Sequence, residues 1–149
     1  MPLQVDRRFG FAWLGFGLAL SIHVLDEATH NFLAVYTPNA RAIRARFPFL
    51  PLPAFTFESW LTSLAIAIAI YLCLSPFAFR GMGWARVVAI PVALLVGIAN
   101  AGGHMFASIY YHRWMPGVYS SPLLLVAAIF LIATARSRPA QSANAAPAH

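Results

Sequence analysis

Lysine is absent from this chain, cysteine occurs once, and only four of its 149 residues are acidic. Each shortage excludes something. Without lysine there is no Schiff-base chemistry of the retinal type on a side-chain amine. A single cysteine, Cys73, cannot build a disulfide framework within one chain. Charged residues make up 9% of the sequence against 60% hydrophobic, with mean hydropathy +0.71. A soluble domain of this length carries more charge, so the bilayer is the expected solvent. The basic side chains are ten arginines, which leave a net charge of +6. In a membrane chain that excess sets orientation and contacts to anionic headgroups, and nucleic acid is not an expected partner.

What the chain does have is apolar runs. The length is that of one domain. Four runs approach the roughly 20 helical residues that a bilayer crossing needs. The first extends from about Phe9 to Val35 and is followed by the Pro- and Arg-rich "YTPNARAIRARFPFLPLP", which reads as a loop or interfacial segment. Arg7 and Arg8 precede this run as in a signal peptide, but no small-x-small cleavage site follows cleanly, so a retained helix is expected. The second runs from about Phe57 to Phe79, with Thr56 as its N-cap. The third runs from about Trp84 to Tyr111, with a kink at Pro91. The fourth runs from about Ser121 to Ala135, with Ser121 as cap and Pro122 in the first turn. The expectation is an all-α integral membrane four-helix bundle over residues 1–136 and a disordered tail over 137–149.

Six arginines at the termini and the "RGMGWAR" turn stand against four in the other loops. That bias places both termini on the cytoplasmic side of a bacterial inner membrane. Trp13, Trp60, Trp84 and Trp114 sit near the expected helix ends, as an aromatic belt requires.

Two of the four acids stand side by side inside the first run, in "SIHVLDEATHNF". At about 100° per residue, His23, Asp26, Glu27 and His30 fall on one stripe two turns long. No other residue between Phe9 and Val35 is ionisable. In the third run, "NAGGHMFASIYYH" sets Asn100, His104 and Tyr111 on a common face, with small residues that let another backbone approach. Glu58 opens the second run. Tracing the spans back and forth across the bilayer puts all these groups in the same half of it. Three segments converge on one level.

Ionisable groups at that depth cost several kcal/mol unless paired or wetted, and they usually mark function. One reading is a divalent metal, Zn or Fe, held by His23, Glu27 and His104, with His30 completing the set. Glu27-x-x-His30 matches the spacing used in bundle di-iron sites, although the second copy such sites need is absent. The other reading has no metal, with His23, Asp26, Glu27 and His104 as general acids and bases. Asn100, Tyr111, Trp114 and Glu58 are the expected substrate-binding groups. An enzyme acting on a lipid-like or isoprenoid-like substrate follows. Membrane lipid and a hydrophobic small molecule are its partners, with a homo-oligomer allowed. The competing readings are a proton-coupled transporter or oligomeric proton-conducting module, and a structural or assembly subunit whose polar cluster only staples helices. The arginines at 41, 44 and 46 suit lipid phosphates in any of these.

"HVLDE" from His23 to Glu27 resembles the signature of the HXXEE domain family, small membrane proteins of four to five helices. "NAGGH" from Asn100 to His104 matches that family's N-x-x-x-H motif, and "WMPG" from Trp114 to Gly117 is similar to its Y-x-P-G motif. Asp26 stands in place of the first Glu and keeps the charge with a shorter reach. Trp114 stands in place of the Tyr and lacks its hydroxyl. The resemblance implies a site of enzymatic type built from these motifs, without naming the reaction.

Overall fold

Asp6 begins the helical part of the chain: its carboxylate accepts the Phe9 amide at 3.1 Å and caps α1, Arg7–Thr29. A computed structural model describes residues 5–137, which form an all-α fold with no strand among the described residues. Beyond α1 lie α2 (Phe32–Arg46), α3 (Phe57–Phe79), α4 (Gly83–Tyr110) and α5 (Ser121–Arg136). α1, α3 and α4 are long and apolar enough to cross a membrane, and α5 is apolar but shorter. The tail expected from residue 137 lies, apart from Ser137, outside the described residues.

The first apolar run is not one helix to Val35. α1 ends at Thr29, and Asn31 adopts a left-handed conformation with φ +57°. Asparagine tolerates that region better than most residues, so the break falls where the sequence permits it. The segment expected as a loop or an interfacial segment is largely α2, a fifth helix that carries Pro38 in its interior. It has one buried residue, Ala40, and exposes Arg41, Arg44 and Arg46. Tyr36 Oη donates to the Pro53 carbonyl at 3.0 Å and ties α2 to the connection beyond it.

At α3 the Thr56 hydroxyl accepts the Ser59 amide, and the Ser59 hydroxyl accepts the Thr56 amide, a complete capping box. α3 lies against α1 with only Trp60, Ile68 and Ala78 buried. α4 passes Pro91 and then forms π-helical turns over Ala93–Ala99 before resuming as α-helix at Asn100. Proline lacks the amide that would close the α turn, and a π segment absorbs the misfit. At α5 the N-cap is Ser120, not Ser121, with Pro122 in the first turn.

α1 packs between α3 and α5, and α5 also receives α4. The interfaces are built on small residues: Ala12, Ala19, Ala85, Ala89, Ala93, Ala101 and Ala128 are all buried. Gly10 meets the Phe79 ring, and Gly97 meets Ala128 and Phe16, so any Cβ there would force the helices apart. In lipid, close backbone approach replaces the hydrophobic drive that water supplies. Trp13 stacks on Tyr71 at 4.3 Å and donates its indole N–H to the Tyr71 carbonyl at 2.8 Å. The stacking of these rings and the fit of small residues join α1 to its neighbours. Trp13 and Trp60 are therefore core residues rather than belt residues, whereas Trp84 and Trp114 are exposed.

At the end of the bundle away from the polar stripe, Arg86 joins three segments. Its guanidinium pairs with the Asp6 carboxylate and donates to the carbonyls of Thr134, Ala135 and Ser137. A cation at the C-terminus of α5 satisfies carbonyls that have no helical partner and complements the helix dipole.

Candidate functional site

The core face of α1 runs through Phe9, Trp13, Phe16, Leu20, His23 and Glu27, at alternating spacings of four and three. The line that buries aromatics in its first half thus buries two polar side chains in its second. His23 is fully buried and Glu27 is 5% exposed. From the facing helix, the α-helical turn that follows the π segment projects Asn100 and His104 toward them. His104 Nε2 lies 2.9 Å from Glu27 Oε1, and His23 Nε2 lies 3.8 Å from the same oxygen. Asn100 Nδ2 stands 3.2 Å from His23 Nε2. The two imidazoles meet edge to face at 5.0 Å.

The turn between α4 and α5 forms the third wall. Gly117 has φ +85°, and a Cβ there would lie 3.0 Å from the His104 ring and 3.1 Å from Glu27 Cγ. Only glycine satisfies both the backbone angle and the space. Ser108 Oγ accepts the Met115 amide at 3.1 Å and donates to the His104 carbonyl, which fixes the turn against α4.

Asp26 and Glu27 serve different neighbours although they are adjacent. Glu27 faces the imidazoles. Asp26 Oδ2 faces the turn and accepts the Ser120 amide at 2.9 Å and the Ser120 hydroxyl at 2.7 Å. Ser120 Oγ in turn lies 2.9 Å from His23 Nδ1. Nothing in the motif reading pointed to Ser120. Its place before Ser121 and Pro122 marks a helix start, and a serine there reads as a cap rather than as a bridge.

The remaining expected site residues are not gathered into this group. His30, on the same stripe by spacing, is the C-cap residue of α1 and is exposed. Its Nδ1 lies 2.9 Å from the Asp26 carbonyl and 2.8 Å from Asp26 Oδ1, and its ring sits 5.3 Å from Tyr119. The helix ends before His30 can turn inward. Tyr111 caps α4 at its C-terminus and is exposed, because the helix stops one residue short of it. Trp114 is 74% exposed and stacks on Tyr119. Glu58 is exposed in the first turn of α3, where the helix dipole favours an acid.

A cleft of about 280 Å³ opens beside the group, between α2 and α4. Its walls are apolar, with Phe32, Tyr36 and Met115 facing Ala99, Gly103 and Ala107, and its polar groups include Asn100 and His104. Phe32 lies 5.7 Å from the His104 ring. α2 therefore supplies the outer wall of the cleft, a part that a loop in its place would not define.

His23, Glu27 and His104 could hold a metal ion, since one ligand atom from each lies within 4.8 Å of the others. Metal–nitrogen and metal–oxygen distances of about 2.0–2.2 Å require ligand atoms about 3.3 Å apart in a tetrahedral site. The two separations from Glu27 Oε1, 2.9 and 3.8 Å, bracket that value, and with the whole set spread over up to 4.8 Å the ligands would have to draw together around an ion. Two histidines and one carboxylate also form a donor set that leaves a fourth position open for water or substrate. Zn and Fe both suit these donors.

A family model described as a protein of unknown function with HXXEE motif matches residues 13–132. No curated protein and no solved structure matches the chain.

Proposed function

The chain belongs to the HXXEE family, and we propose that it is an integral membrane enzyme of four spans, α1, α3, α4 and α5, with α2 at the interface. His23, Glu27 and His104 form its reactive group, and the cleft between α2 and α4 admits a lipid-like or isoprenoid-like substrate. The observation that carries this reading is the buried carboxylate of Glu27 between two imidazoles, beside an apolar cleft. A group of this kind in an apolar bundle is costly to maintain and usually marks function.

In the metal-assisted form, His23, Glu27 and His104 bind Zn or Fe, which supplies a Lewis acid or an activated water. Asn100 lies at the rim, where it can orient a substrate oxygen. A metal-free form rests on the direct approach of the Glu27 carboxylate to the His104 imidazole. Glu27 Oε1 lies 2.9 Å from His104 Nε2, and Asn100 Nδ2 lies 3.2 Å from His23 Nε2. In that form Glu27 and His104 exchange a proton with the substrate as base and acid. The position of the charges argues against a proton-conducting module. No charged residue lies between Arg8 and His23 in α1 or between Arg86 and His104 in α4, so one half of the bundle offers no relay. The excess of arginines near the termini supports the reading that both face the cytoplasm.

Metal analysis of protein purified in detergent without chelator tests the first form, with His23→Ala and His104→Ala alongside wild type. Stoichiometric metal in wild type and its loss in both variants supports it. Wild type without bound metal, and with no uptake of added Zn or Fe, eliminates it and leaves the acid–base form.

A further inference from the structure

Ser120 has one hydroxyl proton and three oxygen or nitrogen neighbours within reach. Asp26 Oδ2 lies at 2.7 Å, His23 Nδ1 at 2.9 Å and the Gly117 carbonyl at 3.3 Å. Where that proton goes decides the state of His23. If it went to His23 or to Gly117, the hydroxyl lone pairs would face a carboxylate oxygen at 2.7 Å. Two acceptors cannot sit at that separation without a proton between them. Asp26 Oδ2 is already oriented by the Ser120 amide, and a charged acceptor makes the stronger bond. The proton therefore belongs to Asp26, and Ser120 Oγ is left to accept.

We propose that Asp26, acting through Ser120, holds His23 in the tautomer that carries its proton on Nδ1. The geometry then leaves Nε2 as a lone pair directed into the group with Glu27 and His104. This agrees with the second contact of the ring, where Asn100 Nδ2 faces Nε2 as a donor. The Asn100 amide can present either its nitrogen or its oxygen to Nε2 by rotation, so it follows the tautomer, and the Asp26–Ser120 contact decides it. His104 is different, since its Nε2 faces Glu27 directly. Asp26 and Ser120 are thus positioning residues, the outer partners that orient a histidine for metal or proton transfer. The proposal deepens the function proposed above by giving the two adjacent acids separate roles: Glu27 enters the reactive group, and Asp26 sets one of its histidines from behind.

The test uses full-length protein, ¹⁵N-labelled at histidine, in detergent after treatment with chelator. His23 signals are assigned by their loss in His23→Asn. In wild type the expected result is a protonated Nδ1 and an unprotonated Nε2 on His23. Ser120→Ala should move most of the ring population to Nε2–H, whereas Ser120→Thr, which keeps the hydroxyl, should retain the wild-type pattern. A wild-type His23 protonated at Nε2, or a ring unaffected by Ser120→Ala in folded protein, overturns the proposal. Zinc affinity is read in parallel by competition with a chelating dye. It should fall about 10–100-fold in Ser120→Ala and recover in Ser120→Thr. Because the tautomer is measured without metal, failure of zinc binding in every variant would count against the metal form of the proposed function alone.

Discussion

His104 Nε2 of α4 lies 2.9 Å from Glu27 Oε1 of α1, and both residues are buried. This contact between a helix that begins the fold and one that follows a π segment is the closest link within the reactive group. Its removal has two separable consequences.

Glu27→Ala leaves the buried His104 Nε2 without the carboxylate that lies 2.9 Å from it, and the cost of an unsatisfied buried polar group is about 1–3 kcal/mol. Glu27→Gln keeps the volume and an acceptor, so its thermal midpoint in detergent should lie closer to wild type. Both should weaken zinc binding by roughly 100-fold or more, beyond the 10–100-fold typical of an outer partner. Retention of wild-type affinity by Glu27→Gln would remove Glu27 from the ligand set.

Gly117→Ala places a Cβ against His104 and Glu27 at a backbone angle that side chains avoid. Strain of this kind costs about 1–3 kcal/mol. Denaturant unfolding in mixed micelles should show a loss in that range, with weaker metal binding as His104 is displaced. A variant as stable as wild type would mean that the turn can relax without disturbing the site.

Arg86→Ala removes the cation that joins Asp6 to the last carbonyls of α5. Hydrogen bonds to charged groups are worth about 1.5–3 kcal/mol, so the melting temperature should drop clearly. Metal stoichiometry and the His23 tautomer should not change, because Arg86 stands at the opposite end of the bundle. A changed site in this variant would show that the two ends are coupled.

Gly103 lines the cleft, and a Cβ at that position meets nothing within 4 Å. Gly103→Phe should therefore fold and fill the space between α2 and α4. Lipid co-purifying with the protein, measured by mass spectrometry, should decrease, while zinc binding remains. Unchanged lipid content would show that the cleft is not the substrate path.

Much of the fold and part of the site were legible in the sequence because they depend on period and composition. Apolar runs with few charges specify helices, and the four-residue step from His23 to Glu27 puts both on one face whatever surrounds them. The same rule relates Asn100 to His104. The expected interhelical meeting of those pairs is what the distances now describe. Periodicity could not find the end of α1, because Asn31 turns left-handed within a run that stays apolar to Val35. It left the Pro- and Arg-rich stretch as a loop or an interfacial segment, and so did not anticipate the helix that walls the cleft.

By itself, the sequence determined an all-α chain of apolar helices and the spacing that aligns His23 with Glu27. Local backbone geometry is enough for that. Only the tertiary structure decided which acid does what, because adjacent residues on a helix point about 100° apart and the fate of each rests on what stands opposite. Glu27 met His104 from α4, and Asp26 met Ser120 from the turn before α5. His30, two turns along the same stripe, met the end of its own helix instead.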